Sequence, residues 1–92
     1  MKFMYTWSAK EGAIPEIVKR FLAGDATPPE GVTHLGRWHN VDLSGGFTLV
    51  ETNDLVLLYK HAGRWATVLE FEVFPVIEDQ EAAPVLKEVF GK

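Results

Sequence analysis

Residues 53–65 read NDLVLLYKHAGRW, and whether they form a strand or a helix decides the fold. Their Val, Leu and Tyr content suits a strand. Their length does not, and Leu55, Leu58, Ala62 and Trp65 recur at helical spacing. Asn53 and Asp54 precede them, and both are residue types that accept the first free N–H groups of a helix. A helix over Leu55–Trp65 is therefore expected.

Working outward from that helix, GFTLVET (46–52) alternates as a strand. NVDLSG (40–45) turns back to a second strand over Val32–His39. DATPPEG (25–31) is a loop of turn formers. Ahead of it Ile14, Ile17, Val18, Phe21 and Leu22 trace one helical stripe, with Pro15 in the first turn and Gly24 as the stop, so a helix spans Ile14–Ala23. KFMYTWS (2–8) is a strand with Phe3, Tyr5 and Trp7 on one face. Downstream, TVLEFEVFPVI (67–77) is a strand with Leu69, Phe71 and Val73 on one face and Glu70, Glu72 and Phe74 on the other. Pro75 lacks a ladder donor, which puts this strand at a sheet edge or lets it pair only part way. Glu78–Phe90 closes the chain as a capped helix that Pro84 is expected to break.

The order β-α-β-β-α-β with a short C-terminal helix is the ferredoxin-like α+β arrangement, a four-stranded antiparallel sheet with helices on one face. The 92 residues suit a single domain, 1–92. The first and last strands carry large apolar residues on both faces. A sheet apolar on both sides needs a second cover, and the simplest is another copy of the chain, sheet against sheet. A homodimer is expected.

Composition narrows function by exclusion. The formal net charge of -4 disfavours a nucleic-acid partner and an anionic membrane surface. With no cysteine there is no disulfide or thiolate metal site. No stretch approaches the ~20 apolar residues of a membrane span, and the cytoplasm is the expected compartment.

The run PPEG (28–31), then GRWH (36–39), GGFTLVE (45–51), Trp65 and LEFEVFPVIED (69–79) resemble a family known only as a domain of unknown function, number 3303. The resemblance covers nearly the whole chain. That family is similar in pattern to the dimeric α+β barrels, whose ferredoxin-like subunits pair through their sheets. Those include cofactor-independent monooxygenases, haem-degrading enzymes and non-catalytic relatives. The resemblance implies the fold and the pairing but supplies no catalytic residue.

The candidate site is therefore read from the residues. Arg37 and His39 share one face of the second strand and Trp38 takes the other. Arg37 suits an anion clamp and His39 a general base. The plain alternative is a salt bridge beside a core tryptophan. Trp7, Trp38 and Trp65, with Tyr5, Phe47 and Phe71, could wall an apolar pocket for a planar ligand or fill a small core. Glu70 and Glu72 share a face, as acid/base groups or as solvated edge charges. His34 and His39 lie an odd number of residues apart, so without a bulge they point to opposite faces and share no metal. His61 is expected to be exposed beside Lys60 and Arg64.

An RNA-recognition surface fails its own signature. With Phe47 on the central aromatic, Leu43, Gly45 and Val50 occupy positions that need a base and two aromatics. The expectation is a domain binding a small apolar or aromatic molecule between sheet and helices, without metal or cofactor. Its catalytic candidates are Arg37 and His39, and its ligand contacts Trp7, Trp38, Trp65 and Glu70. Any turnover would be cofactor-free oxidation or isomerisation. The alternative is a non-catalytic module acting through dimerisation alone.

Overall fold

The computed structural model describes residues 1–91. Its elements follow the order β1 (Lys2–Ala9), α1 (Ile14–Leu22), β2 (Thr33–His39), β3 (Gly45–Glu51), α2 (Leu55–Trp65), β4 (Leu69–Val76) and α3 (Asp79–Phe90). The four strands form one antiparallel sheet in the order β2-β3-β1-β4, the ferredoxin-like arrangement expected from the element order. NDLVLLYKHAGRW is a helix, and its start has the expected cause: the Asp54 side chain accepts the Val56 N–H at 2.9 Å.

The sheet register fixes the faces. Phe3, Tyr5 and Trp7 of β1 sit level with Val50, Thr48 and Gly46 of β3 and with Pro75, Val73 and Phe71 of β4. This row faces the helices. Phe3, Tyr5 and Val50 are buried there with Leu58 of α2, and a second buried group joins Trp65, Val68 and Leu69. Pro75 does sit on an edge strand, where its missing N–H costs no ladder bond. On the far face, Trp38, Phe47 and Phe74 remain exposed.

α1 stops as its sequence predicts. Gly24 adopts a left-handed φ of 88°, its N–H donates to the Phe21 carbonyl, and the Asp25 N–H reaches back to the Arg20 carbonyl. This is the paired closure that needs glycine one position past the cap.

Three expectations are corrected. The chain slips register between His34 and Gly36, so a bulge at Leu35 returns His34 to the same side as Arg37 and His39. His61 is not an exposed helical residue but is buried, 8% exposed. The α2 face that packs inward is Leu58, His61 and Trp65, one position out of phase with Ala62, while Leu55 lies open. Pro84 does not break the last helix. α3 runs unbroken through it, secured at its start by a capping box between Glu78 and Glu81. The proline deletes one intrahelical bond and crowds the carbonyl of Gln80, and the helix carries both costs.

Candidate functional site

Between the inner face of the sheet and helices α1 and α2 lies a cavity of about 130 Å³. It exists because α1 stands off the sheet. Ile14, Ile17, Val18 and Phe21 project from α1 towards the cavity, yet α1 buries none of its residues. The opposite wall is Tyr5, Trp7 and Phe71 of the sheet, and Trp65 of α2 also lines the cavity. The lining is predominantly apolar, with a few polar groups set into it, the composition of small-molecule sites in general.

Those polar groups come from four elements. Arg37 on β2 donates from Nη2 to the Ala26 carbonyl at 2.8 Å, and its guanidinium carbon lies 5.5 Å from the centre of the Phe21 ring. No carboxylate pairs with it among the described residues, so the plain salt-bridge reading of Arg37 does not hold. The guanidinium carries five N–H donors, so one bond to a carbonyl leaves others available. His39 packs edge-on against both Trp7 and Phe21, at 5.3 Å from each ring centre. Thr48 on β3 is buried, and its hydroxyl accepts the Trp7 Nε1–H at 3.2 Å.

Two buried polar atoms of lining residues have no partner. Nδ1 of His61 and Nε1 of Trp65 are both buried and make no hydrogen bond. They belong to residues four apart on α2, hence on one helical face. A buried polar atom left unpaired costs ~1–3 kcal/mol, and native structures carry few of them. Burial pushes the His61 imidazole below its ordinary pKa of 6.5, and the positive charges of Arg37 and Arg64 push it further the same way. His61 is therefore a neutral imidazole near pH 7, with a lone pair on one ring nitrogen. Its ring tilts against Tyr5 at 6.3 Å. Burial raises the Tyr5 phenol above 10.0, with Arg37 opposing, so the phenol keeps its proton.

Of the residues singled out from sequence, Arg37, His39, Trp7 and Trp65 meet in this cavity. Trp38 and Glu70 do not. Both lie on the far face of the sheet, Trp38 level with Phe47 and Glu70 level with Ser8. Trp38 is 54% exposed, and its ring covers Gly36, where a Cβ would meet it at 2.6 Å. His61 and Thr48 are lining polar groups that sequence reading missed, while Tyr5 enters that reading only as one of the aromatics that could wall a pocket. The signal for His61 was present: Leu58, His61 and Trp65 repeat at i, i+3 and i+7. His34 lies outside the cavity, at a more open hollow shared with Phe21, Pro28 and Arg37. No cluster of metal-ligating side chains occurs among the described residues, and none of their helices is long and apolar enough to cross a membrane.

The family model described as a domain of unknown function (DUF3303) matches residues 1–90, and the chain belongs to that family. No curated protein and no solved structure matches it.

Proposed function

We propose, from membership of the DUF3303 family and the cavity just described, that the chain binds a small, mostly apolar ring compound bearing at least one oxygen. The observation that carries this is a pair of unpartnered buried atoms, His61 Nδ1 and Trp65 Nε1, on residues that wall a predominantly apolar cavity. An indole N–H is a donor only, so its missing partner is an acceptor such as a carbonyl, carboxylate or phenolate oxygen. Size sets the class. A dry apolar cavity of ~150 Å³ admits benzene, so a cavity of about 130 Å³ that opens to solvent has room for about one ring and not for a macrocycle. The half-open apolar face of α1 supports the same reading, since filling the cavity would take that surface out of water at ~25 cal/mol per Å².

Binding is the primary role in this account. The chemistry these side chains suit is cofactor-free proton transfer. His61 or His39 would take a proton from an enolisable or phenolic ligand, and the Arg37 guanidinium would face the oxygen on which the negative charge collects. Native mass spectrometry of gently purified protein tests the proposal. Extra, removable mass of single-ring size on the chain is the expected result. Bare protein that also fails to bind phenol and benzoate would end it.

A second reading, as an assembly module, has its own observation. Trp38 and Phe47 lie exposed side by side on the far side of the sheet, and Phe74 is exposed on the same side across β1, all remote from the cavity. A homodimer paired through that surface would cover it. The two readings are compatible, because the ligand site and the pairing surface lie on opposite faces of one sheet.

A further inference from the structure

The molecule has a second uncovered apolar surface, and it lies on an arm. α3 buries none of its residues. Ala82, Val85, Leu86, Val89 and Phe90 fall at i, i+3, i+4, i+7 and i+8, a complete apolar stripe. Phe90 is 76% exposed and the three larger aliphatic residues are more than half exposed. The arm also changes the shape of the chain. The Cα radius of gyration is 15.7 Å, against ~12 Å for a compact chain of this length. The longest dimension, 54 Å, is over three times the shortest, 17 Å. A helix of 12 residues accounts for ~18 Å of it.

α3 does not turn back onto its own sheet, for local reasons. Only Ile77 and Glu78 separate it from β4. Glu78 is committed twice, in the capping box with Glu81 and in an ion pair with Lys2 at 2.9 Å. Those contacts hold the first turn of the helix next to the start of β1. The chain therefore carries two apolar surfaces that do not meet within one copy.

We infer that α3 of one copy lies across the far sheet face of a second copy, its apolar stripe on Trp38, Phe47 and Phe74, and that the second copy returns the same contact. The areas support a second copy as the occupant. The aromatic trio and the arm residues from Val85 to Phe90 leave roughly 700 Å² of apolar surface in water, taking ~200 Å² per whole aromatic side chain and less for the aliphatics. A standard interface takes ~800 Å² from each partner. One chain presents both halves of the contact, so a two-fold exchange covers both surfaces on both copies and closes the assembly. This inference rests on the reading above that the far sheet face is the pairing surface, and it makes the partner's α3, in place of the partner's sheet, the element that covers it.

The test is light scattering with size exclusion on the full chain at micromolar concentration. Wild type is expected to be a dimer. Leu86→Glu and Phe90→Glu alter side chains that are exposed in a single copy, so they leave the fold intact, as circular dichroism would confirm. Each is expected to weaken the dimer ~100-fold or more, the loss typical of a buried anchor residue. Trp38→Glu is expected to do the same from the other side of the contact. A monomeric wild type would overturn both the exchange and the paired sheets. A dimer broken by Trp38→Glu but unmoved by both arm variants would overturn the exchange and leave the paired sheets standing. Open-ended oligomers would overturn the closed exchange.

Discussion

Replacing His61 with leucine should make the empty protein more stable and its site worse. His61 is buried, with Nδ1 unpaired, and it sits mid-helix. Removing the orphaned atom returns ~1–3 kcal/mol. Leucine is also the better helix former, by a few tenths of a kcal/mol. Against this stands the loss of the tilted ring contact with Tyr5, worth ~0.5–1.5 kcal/mol. The net expectation is a gain of ~1 kcal/mol, or ~4–8 °C in melting temperature for a domain of this size.

The pH dependence separates this cause from better packing. The folded-state pKa of His61 lies below 6.5, so between that lowered value and 6.5 the unfolded chain binds a proton that the native state refuses. Wild-type stability therefore falls as pH drops through 6.5 and stops falling on this account below the folded value. His34 is shifted in the same direction, by burial first and Arg37 second, and supplies a residual slope in both proteins. Thermal melts followed by circular dichroism at pH 7.5 and pH 5.5 should show the variant's advantage growing at the lower pH. Affinity for a single-ring probe should meanwhile fall ~10-fold, for a lost hydrogen bond of about 1.4 kcal/mol. A variant that is less stable than wild type, with an unchanged pH slope, would refute the reasoning.

Four further outcomes follow from the geometry. Arg37→Met removes one of the positive charges that depress His61, so the His61 imidazole should titrate at higher pH by NMR while staying below 6.5, because burial is the larger cause; an unmoved titration would contradict the electrostatics. Gly46→Ala places a Cβ 2.1 Å from the Trp38 carbonyl oxygen and 2.5 Å from the Trp7 ring, and should cost ~2–3 kcal/mol in urea unfolding because backbone on one side cannot give way. Asp54→Ala removes the cap of the helix that carries His61 and Trp65, and should cost ~1 kcal/mol by the same assay. Leu43 holds a left-handed φ of 67° with its side chain exposed; Leu43→Gly relieves ~1–2 kcal/mol of strain and adds ~0.5–1 in unfolded-chain entropy, a net gain of ~0.5–1 kcal/mol measurable by thermal melting.

The fold was legible because its signals are local and periodic. Alternation in KFMYTWS and LEFEVFPV sorted both faces of β1 and β4, and Pro75 placed β4 at the edge. Gly24 marked the end of α1, and Asp54 marked the start of α2. The errors arose where tertiary structure overrides the local signal. A histidine beside lysine and arginine reads as solvated, yet the α2 stripe is turned by one residue and carries His61 inward. The bulge at Leu35 depends on pairing with β3, which residues 33–39 alone do not encode, so the shared face of His34 and His39 was hidden. The cavity was the least legible feature. Several of its walls were named from residue type, but it arises from the stand-off of α1, and a strongly apolar stripe ordinarily reads as one packed shut. Trp38 and Glu70 were placed at the site on chemistry, whereas strand parity assigns them to the opposite face.

The central claim is that Trp65 Nε1–H and His61 Nδ1 are waiting for a ligand oxygen or proton. The most direct measurement is a two-dimensional proton–nitrogen NMR titration of the full chain with single-ring phenols and benzoates, following the three tryptophan indole signals. The account predicts a saturable downfield shift of the Trp65 indole proton as it gains an acceptor, smaller changes at Trp7, and none at Trp38 on the far face. A Trp65 signal that no member of the set moves, or shifts confined to Trp38, would contradict it.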